Sequence, residues 1–200
     1  VNHQEGRKFR SSWVYYGGRF LFSILYGVAG RRRIIGHENI PRDGGVIIAP
    51  NHVSFNDPPL VASSMERPLH FMAKQELFDV PILGFLIRRT NAFPVRRGRQ
   101  DVGAFRQAVK LLKGGEAVLV FPEGTRSGDG NFRPARAGIG MIACIAQSPV
   151  VPVRVVNSGR LRSMAKIRVI FGKPLLPPKE HTRETYEAFA RQILDEIKKL

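Results

Sequence analysis

Cysteine is nearly absent from this 200-residue chain: Cys144 stands alone in an apolar run, so no internal disulfide can staple the fold. That usage fits a reducing compartment, and a lone thiol among apolar neighbours reads as a small core residue. Acidic residues are scarce as well, 16 against 32 Lys and Arg, which leaves a formal net charge of +16 and a pI near 11.0. An acidic partner follows: nucleic acid, an anionic lipid surface or an acidic carrier protein. No Gly-x-Gly-x-x-Gly loop follows a strand candidate, which speaks against a dinucleotide fold. His3, His37, His52, His70 and His181 lack carboxylate or thiol neighbours at metal-ligand spacing, so neither a metal site nor a resident cofactor is expected.

An uninterrupted spanning run is missing too. Residues 11–30 are apolar and aromatic, but Arg19 and the Gly17-Gly18 pair break them near the middle, whereas a spanning helix needs about 20 predominantly apolar residues. Ser12, Tyr16, Arg19 and Ser23 recur at spacings of three and four, which gives a helix one narrow polar stripe on an otherwise apolar surface. Arg31-Arg32-Arg33 follows at once. This combination predicts a helix lying in a membrane interface, with packing on the domain's own core as the alternative.

What remains is long enough for one domain with a substantial core. Strands are expected at residues 32–35, 46–49, 70–72, 93–95, 117–121, 150–156 and 167–171. Helices are expected at 58–65, 80–89, 101–113, 138–147 and from the proline-rich link 173–178 to the end. Alternation of this kind predicts an α/β fold: a single domain with a central mixed, mostly parallel sheet flanked by helices, plus the N-terminal apolar membrane-interface helix.

Two polar clusters sit just past apolar strand candidates, where ligands bind in open α/β sheets. Val46-Ile47-Ile48-Ala49 runs into Asn51-His52-Val53-Ser54-Phe55-Asn56-Asp57, and Ala117-Val118-Leu119-Val120 runs into Phe121-Pro122-Glu123-Gly124-Thr125-Arg126-Ser127. On one helix, His52 and Asp57 would point about 140° apart and never meet. Pro58 and Pro59 instead make Asp57 a helix N-cap, with His52 in the loop before it, where the chain can fold back onto the carboxylate. An imidazole held that way has one ring nitrogen fixed as a donor and the other free to accept a proton. Ser54 lacks the Gly-x-Ser-x-Gly setting of a serine nucleophile.

These two blocks resemble the glycerolipid acyltransferases of the lysophosphatidic acid acyltransferase type, which carry a histidine and an aspartate separated by four residues and a Phe-Pro-Glu-Gly-Thr-Arg block. The resemblance spans roughly residues 34–156. Between the blocks, Ala92-Phe93-Pro94-Val95-Arg96-Arg97-Gly98 is similar to the family's second block, with Arg97 at the arginine position; Arg96 departs from the acidic residue often found there. Val150-Val151-Pro152-Val153 resembles the fourth block, and Phe71-Met72-Ala73-Lys74 the segment in which a lysine approaches the active site. Residues 1–30 then form a membrane-associating helical segment and residues 31–200 the acyltransferase domain.

The resemblance implies transfer of a fatty acyl group from acyl-CoA or acyl carrier protein to the free hydroxyl of lysophosphatidic acid. His52 is then the general base held by Asp57. Arg97 and Arg126 are candidates to grip the phosphate, because a guanidinium fork matches phosphate oxygens. Gly124 would let the backbone approach substrate beside Thr125, Glu123 would either accept from a glycerol hydroxyl or pair with an arginine, and Lys74 or backbone N–H groups would stabilise the oxyanion. The expected partners are lysophosphatidic acid, the acyl thioester and an anionic membrane surface, with attachment on the cytoplasmic face. Alternatives are another lysolipid or glycerol 3-phosphate as acceptor, and, in a different class, a basic protein that binds anionic membranes or nucleic acid without catalysis. Nucleic acid is disfavoured, since no recognition module is present.

Overall fold

The structure, a computed structural model, describes residues 12–96, 101–127, 131–163 and 165–200. Seven strands form one sheet: β1 (Arg33–Ile35), β2 (Val46–Pro50), β3 (Leu69–Lys74), β4 (Ala92–Val95), β5 (Ala117–Leu119), β6 (Val150–Val156) and β7 (Arg168–Phe171). Their spatial order is β1-β7-β6-β2-β5-β3-β4, and every neighbouring pair is parallel except β6 with β7. The sheet is therefore mixed and mostly parallel, as the alternation of elements predicts.

Six helices cover it: α1 (Trp13–Val28), α2 (Asp57–Ala62), α3 (Pro81–Arg88), α4 (Val102–Lys113), α5 (Ala137–Ala146) and α6 (Arg183–Lys199). The central strands are buried on both faces, and their residues alternate between two cores because successive strand side chains point to opposite sides. Ile47, Ala49, Val118 and Val150 pack with Ala108 and Leu111 of α4, Ala143 of α5 and Ile193 of α6. Val46, Ile48, Leu119 and Val151 pack with Leu60 and Val61 of α2 and with Tyr26 of α1. Truncating a fully buried isoleucine such as Ile48 to alanine costs about 2–5 kcal/mol.

One local expectation changes, and one is given a direction. Asp57 is not an N-cap: Asn56 holds that position without a side-chain cap bond, and Asp57 is the first helical residue. Pro58 and Pro59 offer no N–H, the Leu60 N–H goes to the Asn56 carbonyl, and the Asp57 carboxylate turns back to the Val53 and Ser54 N–H groups of the loop before it. Helix α1 does form over the expected residues, yet the polar stripe faces inward. Ser12 donates through its hydroxyl to the Arg89 carbonyl and Arg19 to the Glu66 carbonyl, while Ser23 accepts from Arg32 at 2.9 Å. Arg32 also donates to the Ser63 carbonyl and hydroxyl at 3.0 and 2.8 Å, tying the end of α1 to the end of α2. Tyr16 alone of the stripe stays outward, with Phe20, Leu21, Ile24, Leu25 and Val28. Among the described residues, no helix is long and apolar enough to cross a membrane.

Candidate active site

Parallel strands put the ends of β2, β3, β5 and β6 along one edge of the sheet, and the two polar blocks meet there. After β2 the chain turns through residues 51–56 before α2 begins. Its start is clasped to β6: Asn51 donates through Nδ2 to the Val155 carbonyl at 3.0 Å and accepts the Val155 N–H at 2.7 Å. Further on, Asn56 donates to the Ser158 carbonyl at 3.1 Å. Both ends of the loop are thus pinned to the segment around the end of β6.

Within that loop His52 and Asp57 are brought together. The His52 Nδ1 lies 2.9 Å from Asp57 Oδ2, and both side chains are almost wholly buried. The same oxygen accepts the backbone N–H groups of Val53 and Ser54, each at 2.8 Å. Three donors on one oxygen fix the orientation of the buried carboxylate. Nδ1 is then the protonated nitrogen and Nε2 the acceptor. The ring stacks on Phe121, with centroids 3.7 Å apart and planes within 15°, so its tilt is set by the first residue after Val120 as well as by Asp57. The charge of Asp57 reaches α1: the Tyr26 phenol is pushed up to about 12, first by burial and next by that carboxylate.

The second block supplies the opposite wall. Glu123 is buried, and its two oxygens are divided between backbone donors: Oε1 accepts the His52 N–H at 3.0 Å and Oε2 the Arg133 N–H at 2.8 Å. Among the described residues neither oxygen lies within ion-pair distance of an arginine, although the charge of Glu123 is felt at Arg154. Ser127 closes the clasp by donating its N–H to the His52 carbonyl at 2.9 Å. His52 is therefore held through both of its own backbone groups by the block after β5. Gly124 has φ +71° and its N–H reaches the Phe121 carbonyl at 3.0 Å; an added Cβ would fall 2.8 Å from Arg136 Cδ. Thr125 accepts from Arg133 Nη1 at 3.3 Å, and the half-buried Arg126 lays its guanidinium 3.4 Å above the exposed Phe55 ring.

Lys74 ends β3 on the same edge, exposed, with Nζ 3.2 Å from Glu76 Oε1. Arg97 lies outside the described residues. Reading the residues alone misses four parts of this site: the stacking of Phe121, the platform of Phe55, the Asn51 clasp and the amide of Arg133. Three of them are inside the two polar blocks, beside residues that were singled out. Arg133 carries no sequence signal, because only its backbone takes part.

The pattern of the family described as "Acyltransferase" matches residues 31–156. A 1-acyl-sn-glycerol-3-phosphate acyltransferase of Bacillus subtilis is 32% identical over 188 residues, 88% of this chain and 94% of that protein. A chloroplastic protein of the same description from Brassica napus is 31% identical over 179 residues; the match takes in 84% of this chain and 52% of the plant protein. The crystal structure of a 1-acyl-sn-glycerophosphate acyltransferase from Thermotoga maritima superimposes with a TM-score of 0.66 at 28% identity, covering 92% of this chain and 82% of that one.

Proposed function

The chain belongs to the acyltransferase family, and from that premise we propose that it moves a fatty acyl group from an acyl thioester to the free hydroxyl of lysophosphatidic acid, giving phosphatidic acid. The observation that carries the reading is the buried His52–Asp57 pair at 2.9 Å, inside the stretch that matches the family and at the carboxyl edge of the parallel strands.

A glycerol hydroxyl is a weak nucleophile. His52 Nε2 takes its proton as the oxygen attacks the thioester carbonyl carbon, and Asp57 stabilises the imidazolium that forms. The tetrahedral intermediate collapses by breaking the carbon–sulfur bond, and the thiolate leaves with the proton from Nε2. No acyl-enzyme is required. Arg126, stacked on Phe55, grips the acceptor phosphate together with Arg97; Thr125 and Gly124 shape the wall beside it. Glu123 serves this chemistry by holding the His52 backbone, which leaves acceptor hydroxyls to other groups. Lys74, where the thioester carbonyl develops charge, assists as an oxyanion partner.

Both acyl groups are hydrophobic, so the site works at a bilayer. Residues 1–30 form the attaching segment and residues 31–200 the catalytic domain, with α1 lying in the cytoplasmic face of an anionic membrane and Arg31 and Arg33 exposed beside it. Support comes from the exposed aromatic and aliphatic side chains of α1 and from the excess of basic residues.

The test is release of free thiol from acyl-CoA and from acyl carrier protein, with lysophosphatidic acid, other lysolipids and glycerol 3-phosphate offered in turn. Release that depends on lysophosphatidic acid is expected. Release only with another acceptor would move the assignment within the family, and none with any acceptor would sink it.

A further inference from the structure

A second helix carries an apolar face to the outside. In α3, Ile82 is 80% exposed, Phe85 55% and Leu86 44%, and these positions, three and four apart, form one stripe. The opposite side is pressed onto the preceding turn at Gly84, where an added Cβ would lie 2.2 Å from the Phe78 carbonyl oxygen. Glycine there lets the helix sit close, and the close seat turns the large side chains outward.

The direction of that face follows from topology. The connections β2–α2–β3 and β3–α3–β4 both run between parallel strands and both step toward the β4 edge. Right-handed crossovers therefore place α2 and α3 on the same side of the sheet. Helix α1 is packed on α2, and the Ser12 hydroxyl at its start donates to the Arg89 carbonyl at the end of α3. Two outward apolar faces thus lie on one side of the molecule and meet at that bond.

We propose that α3 is a second membrane-docking element, which enters an anionic bilayer alongside α1. The proposal rests on the membrane reading of α1 given above and extends it to a helix in the middle of the chain. Charge selects the bilayer as occupant. Arg88, Arg89 and Arg96 follow the stripe, with Arg89 laid 3.8 Å over the Phe85 ring, whereas the exposed acids before the helix are Asp79 and Glu76, the latter paired with Lys74 at 3.2 Å. A row of apolar side chains ending in arginines suits the boundary between acyl chains and acidic headgroups.

Sedimentation of the full chain with vesicles of phosphatidylcholine containing phosphatidylglycerol tests the proposal. The double substitution Ile82→Glu/Phe85→Glu should lower partition ten-fold or more, with an unchanged thermal midpoint as the check on folding. Equal partition of the two proteins overturns it. Should the double variant fail to fold, Ile82→Cys labelled with a polarity-sensitive dye replaces it, since Cys144 is buried and escapes the label. A blue shift on adding the mixed vesicles supports docking; an unchanged spectrum overturns it. A dye shift that instead tracks protein concentration without lipid assigns the face to a second copy and also overturns the proposal. Failure of the activity reading would show separately, as absence of thiol release from wild type, and leaves these lipid measurements standing.

Discussion

At the edge of β2 and β5, Asn51, His52, Asp57, Glu123 and Ser127 are each no more than 4% exposed, while on α1 Trp13 is 84%, Phe20 69% and Val28 74% exposed. Polar groups are inside in one region and large apolar groups outside in the other. The buried set is tolerable because the carboxylates of Asp57 and Glu123 take backbone N–H groups from the loops they organise, so desolvation is offset by charge-assisted bonds. Among the described residues nothing covers the exposed set, and apolar area of that kind gains free energy when another phase covers it. One region is satisfied by its own neighbours; the other is the one that the proposed membrane docking would cover.

Substitutions can force the two apart. The largest effect is expected at His52→Ala, which should lower thiol release about 10²- to 10⁴-fold by removing the base, with lipid binding unaltered. More than half of the wild-type rate in the variant would end the base assignment. On the other side, Phe20→Glu/Ile24→Glu should weaken partition onto anionic vesicles by about 10- to 100-fold, because two large side chains lose their apolar phase. Partition equal to wild type would show that α1 is exposed for some other reason.

Arg126→Ala belongs to the first region but to its rim. Its apparent KM for lysophosphatidic acid should rise about ten-fold, with the thioester KM unchanged, as expected for loss of a charged phosphate contact. A matching loss with an acceptor that has no phosphate would remove Arg126 from that role. An effect on stability alone separates burial from catalysis. His70, 1% exposed and away from the site, has its imidazole pushed down to about 4 by burial, with a bond to the Asn91 backbone countering only part of that. The unfolded chain takes up the proton near pH 6.5, so this stabilisation is whole above that pH and is lost progressively toward pH 4. The loss is about 3 kcal/mol at about 1.4 kcal/mol per pH unit. Urea midpoints between pH 7 and 4.5 measure it, and a flat profile would contradict the burial argument.

Much of the first region was legible from residues. The apolar tetrads of β2 and β5 announced buried strands, and the two polar blocks after them announced a site at strand ends. The inability of a helix to join His52 and Asp57 pointed to a loop that folds back, and the observed contact has that form. The cap was misread because the Leu60 N–H downstream is taken by the Asn56 carbonyl, while the Asp57 carboxylate finds donors upstream in Val53 and Ser54. Glu123 as a clasp was hidden for a different reason: its partners are backbone amides, which every residue has and no letter encodes. In α1 the period was legible and the direction of its faces was not given by it. A polar stripe on an apolar helix says that two faces differ, whereas which face turns inward depends on the carbonyls of Glu66 and Arg89, far along the chain.

The three consecutive amides of residues 52–54 have a consequence of their own. Each is bonded to a buried carboxylate, Glu123 for the first and Asp57 for the next two. Loop amides ordinarily trade hydrogen for deuterium quickly, since local opening there takes little free energy. These should trade as slowly as those of β2, and their uptake requires both carboxylates to let go. The rate at which deuterium enters residues 52–54 is thus a direct gauge of how often the folded molecule takes its own proton acceptor apart, readable without any substrate.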